Sequence, residues 1–151
     1  MIRENSLDIP EVDPCAFCQY LSGERPYTIL AKGDLIAILV TREQRGIGHS
    51  LIIPTHHRES ILDLSDDESS ALMVGVRSAA AAIDHAFGRP GIAIWQNNGL
   101  PAHQSIPHMH FHVAGTLPDG GTNFGDVPEL AVEQTDAIGA LLRPALPLHL
   151  N

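Results

Sequence analysis

Hydrophobic and polar positions divide the chain into segments of two periods. Residues 27–31 (Tyr-Thr-Ile-Leu-Ala) and 34–41 (Asp-Leu-Ile-Ala-Ile-Leu-Val-Thr) are apolar, β-branched runs separated by Lys32-Gly33. This pattern predicts two strands joined by a hairpin turn. Arg42 to Gly48 is polar with two glycines and reads as a loop; Ser50 to Ile53 reads as a short apolar strand closed by Pro54. The period then changes. Ser65-Asp-Asp-Glu68 is a capping box, and Leu72, Val76, Ala79, Ile83 and Phe87 recur at spacings of three and four. That spacing predicts a long helix with one core-facing stripe, stopped by Gly88 and Pro90. Gly91 to Asn97 reads as strand again.

The sharpest alternation is His108-Met-His-Phe-His-Val113. In an extended strand successive side chains point to opposite faces. Three imidazoles therefore share one face, toward a cleft, while Met109, Phe111 and Val113 anchor the other on a core. Pro107 stiffens the approach to this strand. Residues 1–13 are polar, acidic and aperiodic, and read as a loose arm. Beyond Gly115 the chain is turn-rich, with a weak helical pattern over 130–142 and a proline-broken end. The predicted fold class is α+β: an antiparallel sheet of about five strands with one long helix packed on it. The organisation is an arm (1–13), a domain (14–116) and a C-terminal extension (117–151).

Composition narrows the function classes. A chain of 151 residues with 44 % hydrophobic content suits one soluble domain, burying about two thirds of its unfolded surface. The N-terminal residues have no apolar run of a signal peptide, and no stretch has the length of a membrane span. A cytoplasmic protein without membrane partners is expected. The formal net charge is -9, with nine Lys and Arg residues. That does not suit a nucleic-acid footprint, which needs clustered cations. A small phosphorylated partner remains compatible, since one pocket can be locally positive.

The histidine row has three readings. It is a half-buried strand whose polar face is histidine, a set of metal ligands, or an imidazole nucleophile for phosphate chemistry. A two-residue rise of nearly ~7 Å means that all three could hold one ion only on a bent strand. Gln104 and Ser105, just upstream, add an amide and a hydroxyl. Cys15-Ala-Phe-Cys18 is a redox pair, a pair of buried thiols, or half of a zinc site completed from elsewhere. His49, at the mouth of a strand, is structural or part of a site.

The run His108 to Ala114, following Gln104-Ser-Ile-Pro107, resembles the signature of the histidine triad (HIT) family of nucleotide hydrolases and transferases. Gly48 to Pro54 resembles a second hallmark of that family, and Asn97-Asn98-Gly99 a third. The match runs from about Cys15 to Gly115. The resemblance implies a HIT-like fold that pairs as a homodimer through the long helix and an edge strand. It implies cleavage of a phosphoramidate or phosphoanhydride in a small phosphorylated substrate, a purine nucleotide, with release of a nucleoside monophosphate. His110 is then the nucleophile, and His112 binds the phosphate or leaving group. Ser105 donates its hydroxyl, Gln104 and Asn97 orient the phosphate, and His49 supports the imidazoles. Zinc, in a structural role, falls to Cys15, Cys18, His57 and His108; the chemistry itself needs no cofactor. Two positions depart from the family pattern. Thr41 stands where many relatives carry an aspartate for the ribose hydroxyls. His103 stands where relatives often have glycine, and is either a surface residue or an added donor over the phosphate. The alternative is a non-catalytic nucleotide-binding or scaffold protein of the same fold.

Overall fold

A computed structural model describes residues 5–147; residues 1–4 of the expected arm and residues 148–151 lie outside the described part. The elements in order are α1 (Ala16–Ser22), β1 (Thr28–Lys32), β2 (Ile36–Val40), β3 (Ile47–Pro54), α2 (Asp66–Phe87), β4 (Ile92–Trp95), β5 (Phe111–Gly115) and α3 (Val132–Leu142). The five strands form one antiparallel sheet in the order β1-β2-β3-β5-β4. The α+β class and the five-stranded sheet are as the periodicity predicts.

Strand alternation sorts the sheet's side chains into two cores. Ile36, Ile38, Val40, Ile52 and Val113 pack under α2, meeting Leu72, Val76, Ala79 and Ile83. Ala37, Leu39, Leu51 and Ile53 point the other way, onto Phe17 of α1. Every residue of β2 is therefore buried, which is why its sequence is a continuous apolar run. The capping box forms as expected: Ser65 Oγ accepts the Glu68 N–H, and the Glu68 carboxylate accepts the Ser65 N–H. Gly75 lets α2 sit close, since a Cβ there would lie 2.6 Å from Ile36 Cδ1 and 3.0 Å from Ile52 Cγ2.

Three features differ from the sequence expectation. β3 begins at Ile47, three residues early, because Gly48 at φ +68° allows an irregular register between Ile47 and Ser50. The ladder of β5 begins only at Phe111. His108 to His110 precede it, and their backbone is held instead by the His108 N–H to the Ile106 carbonyl at 2.8 Å and the Met109 N–H to the Arg58 carbonyl at 2.7 Å. Helix α1 has no counterpart in the periodicity. It is seven residues long and is N-capped by Cys15, whose sulfur accepts the Cys18 N–H. Helix α3 covers the weak pattern at 130–142 and docks on β1 through a Thr28–Thr135 hydroxyl contact of 2.7 Å.

Candidate active site

The candidate site lies on the sheet face opposite α2. In the β3–β5 register His112 is opposite Leu51, a residue of the α1-side core. Paired residues share a face, so His112 and His49 both project to that side. In the β4–β5 register Trp95 is opposite His112, and the indole lies flat on the imidazole, with centroids 4.7 Å apart and planes 7° apart. His110 meets His112 edge-on at 4.7 Å and Phe17 edge-on at 4.9 Å. Met109 and Val113 point into the α2-side core, so the expected division of faces holds through the irregular start of β5.

Hydrogen bonds assign the imidazole tautomers. The Arg45 backbone N–H can only donate, and it reaches His49 Nδ1 at 3.1 Å. A neutral His49 must then carry its proton on Nε2, which lies 3.0 Å from His112 Nδ1. His112 accepts there and carries its own proton on Nε2. His110 Nδ1 lies 2.9 Å from the His108 carbonyl, so it donates and leaves the Nε2 lone pair free. The neutral state is enforced. Burial pulls His49 down to about 3 against the opposing pull of the Glu43 backbone, with nearby Arg45 and His110 adding to the fall. Burial and the neighbouring His110, His49 and Arg45 pull His112 to about 2. Burial lowers His110 against the opposing pull of the His108 carbonyl.

Two cavities meet at these rings. The larger, about 520 Å³, is bordered by His110, His112, Ser105, Arg45, Trp95 and Phe124, among others. The smaller, about 130 Å³, runs between His110 and Thr41, Tyr27 and Phe17. Ser105 is exposed and borders both. Asn97 and His103 border the larger one. Asn97 Nδ2 donates to the Ala102 carbonyl at 2.8 Å, tying down the 98–103 loop. Gln104 is buried, and its amide is engaged with backbone: it accepts the Gly99 N–H at 2.7 Å and donates to the carbonyls of Glu59 and Ile106. It holds the loop in place. Thr41 is 7 % exposed, and its hydroxyl accepts the Glu43 N–H. His103 is the one described non-glycine residue at positive φ, +68°, and its N–H closes a short turn onto Leu100.

A second cluster adjoins the first. Cys15, Cys18, His57 and His108 place one ligand atom each within 4.8 Å of one another. Cys15 Sγ is 3.4 Å and Cys18 Sγ 3.6 Å from His108 Nδ1, and Cys18 Sγ is 3.4 Å from His57 Nδ1. A tetrahedral ion with bonds of ~2.0–2.3 Å separates its ligand atoms by about 3.3–3.8 Å, so these sulfur–nitrogen distances fit zinc. His108 is fully buried, and its Nε2–H is fixed on the Pro54 carbonyl at 2.9 Å, which aims Nδ1 at the sulfurs. Burial and the adjacent Cys15 push the Cys18 thiol up to about 11.

Residues the sequence reasoning missed are Trp95 as a partner of His112, and Arg45, Glu43, Asn123 and Phe124 around the larger cavity. Once β4 and β5 are paired antiparallel, their register brings Trp95 to His112; the others depend on loop paths that no periodicity encodes.

The family model for the HIT domain matches residues 22–118. Adenosine 5'-monophosphoramidase hnt1 of Schizosaccharomyces pombe is 32 % identical over 111 residues, covering 74 % of this chain and 78 % of that protein. A Hit-like protein from Bartonella henselae superposes with a TM-score of 0.81 at 21 % identity, over 91 % of this chain and 99 % of that one. A Zn-bound histidine triad family protein from Mycobacterium smegmatis gives 0.75 at 24 % identity, over 87 % and 92 %.

Proposed function

The chain belongs to the histidine triad (HIT) family, and from that premise we propose that it is a hydrolase acting on nucleotide phosphoramidates or phosphoanhydrides through a nucleotidyl-histidine on His110. The single observation that carries this reading is the His110 ring. Its Nδ1–H is pinned on the His108 carbonyl at 2.9 Å, and the ring borders a cavity of about 520 Å³. A neutral imidazole with a free nitrogen at an open cavity is an activated nucleophile that needs no metal.

His110 Nε2 bonds to phosphorus while the bond from phosphorus to the leaving amine or phosphate breaks, and the leaving group departs with that electron pair. The Nε2–H of His112 donates to a non-bridging oxygen, and the Ser105 hydroxyl passes its proton to a departing amine as the P–N bond breaks, whereas a departing phosphate leaves as an anion and needs none. A preset donor of this kind is worth up to ~3 kcal/mol in the transition state once bound substrate has displaced the water. Water then attacks phosphorus and gives up a proton, to Ser105 where an amine has left and otherwise to solvent, the bond to His110 breaks, and a nucleoside monophosphate leaves. The relay from Arg45 through His49 holds His112 in its donor tautomer throughout.

Cys15, Cys18, His57 and His108 would hold zinc in a structural role, tying α1 to the start of the histidine row and leaving His108 outside the chemistry. A homodimer completes the proposal. Met73 on α2 and Ile94 on the edge strand β4 are 55 % and 50 % exposed, an apolar pair on the elements through which pairing is expected. The functional test is release of AMP from adenosine 5'-phosphoramidate. Wild type is expected to turn it over and His110→Ala to lose at least about a thousandfold in kcat. Equal inertness of both, on this compound and on a panel of nucleotide anhydrides, favours the non-catalytic binding protein.

A further inference from the structure

We propose that Glu68 and Arg58 are positioning residues for the nucleophile: their ion pair fixes the peptide unit that aims His110, a role that rests on the hydrolase reading above and goes beyond it. Neither side chain borders the two cavities at the histidine rings. The His108 carbonyl and the Met109 N–H belong to one rigid peptide plane. Its carbonyl accepts the His110 Nδ1–H at 2.9 Å. Its N–H donates to the Arg58 carbonyl at 2.7 Å. The Arg58 carbonyl therefore orients the group that gives His110 its tautomer. Met109 is fully buried, so no water reaches its N–H in place of that carbonyl.

Arg58 lies in the irregular segment between β3 and α2, and its neighbours brace the same site. The Glu59 carbonyl accepts from Gln104 Nε2 at 2.6 Å, and the Ile61 N–H donates to Asn98 Oδ1 at 2.8 Å. Residues 58–61 thus reach the histidine row and both ends of the loop that leads into it. Glu68 ties this segment to α2. Both of its carboxylate oxygens lie 3.1 Å from Arg58 Nε, and one accepts the Ser65 N–H at 3.0 Å. At 2 % exposure it is the one buried acidic side chain among the described residues. A capping box by itself needs neither the burial nor the charge, because glutamine serves it as well. A buried carboxylate is costly unless it is paired, and the partner here is the residue whose carbonyl holds the histidine row. Burial alone would raise the Glu68 carboxyl; the Ser65 N–H and the Arg58 guanidinium more than offset that and hold it below the ordinary carboxylate range.

The test is Glu68→Gln, which keeps the cap and removes the charge. Arg58→Ala breaks the same pair from its more exposed side, and serves alone if Glu68→Gln does not fold. Amide hydrogen exchange compares the Met109 N–H with the N–H of Ile38, a buried residue of the central strand β2. A general loss of stability lowers protection at both; loss of the Arg58 contact opens Met109 first. In either variant the protection of Met109 is expected to fall by at least about tenfold relative to Ile38. With adenosine 5'-phosphoramidate, kcat is expected to fall by about tenfold or more while KM stays within about twofold, because a misaimed nucleophile harms the transition state and not substrate binding. The double variant is expected to lose no more than either single one, since the two side chains act as a unit. A selective loss at Met109 supports the positioning role even where wild type turns over nothing, an outcome that contradicts only the hydrolase reading. Met109 and Ile38 losing protection in step, or an active enzyme whose kcat is unchanged by both variants or whose loss falls on KM alone, overturns the inference.

Discussion

At the scale of single residues the site is a problem of where protons sit. Four imidazoles have fixed partners: His108 on the Pro54 carbonyl, His110 on the His108 carbonyl, and His49 between the Arg45 N–H and His112. The alternating row and the Gly-His motif pointed to all four rings in the sequence. The tautomers were out of reach, because each is set by a backbone group from another part of the chain. One consequence is a pH dependence of stability. In the unfolded chain these imidazoles titrate near the ordinary ~6.5; folded, His49 resists protonation down to about 3 and His112 to about 2. Above pH ~7 neither state is protonated at these rings, and they add no pH dependence. Below ~6.5 the unfolded chain takes up the protons and the folded one does not, so stability falls with pH, by up to ~1.4 kcal/mol per unit for each ring. Urea unfolding between pH 7 and 5 is expected to show this slope in wild type and a shallower one in the double variant His49→Gln, His112→Gln. Identical slopes would remove the proposed burial of neutral imidazoles.

At the scale of elements, periodicity located the central strands and the long helix well. Ser65 with Glu68 opened α2 as its capping box required, and Gly88 at φ +57° closed it. The failures have physical causes. Helix α1 spans only seven residues and is capped by a cysteine sulfur, so neither its length nor its cap resembles a helix signal. The histidine row does not enter the ladder until Phe111, because His108 is turned toward the cysteines of α1. That cluster is where α1, the segment after β3 and the segment before β5 meet. If zinc joins them, native mass spectrometry finds one zinc per chain in wild type and none in Cys18→Ser, whose thermal midpoint falls by more than about 5 °C. A metal-free wild type of full thermal stability would leave the four side chains as unfilled neighbours.

At the scale of the whole molecule, α2 covers one face of the sheet, and on the other β3, β4 and β5 bring His49, Trp95 and His112 together. Among the described residues no helix is long and apolar enough to cross a membrane. The apolar pair Met73 and Ile94 predicts that the same native spectrum reports two chains of 16.3 kDa each. The loop bearing Phe124 and the path of Arg45 escaped the sequence entirely, since turn-rich segments have no period to read. What all three scales converge on is the free nitrogen of His110. Rapid-quench mixing of the protein with adenosine 5'-phosphoramidate, followed by intact-mass and peptide analysis, tests it most directly. A transient chain heavier by one adenylyl group, mapped to His110 and lost in His110→Ala, is the expected result; AMP release with no adduct at any time, or an adduct on another residue, would contradict it.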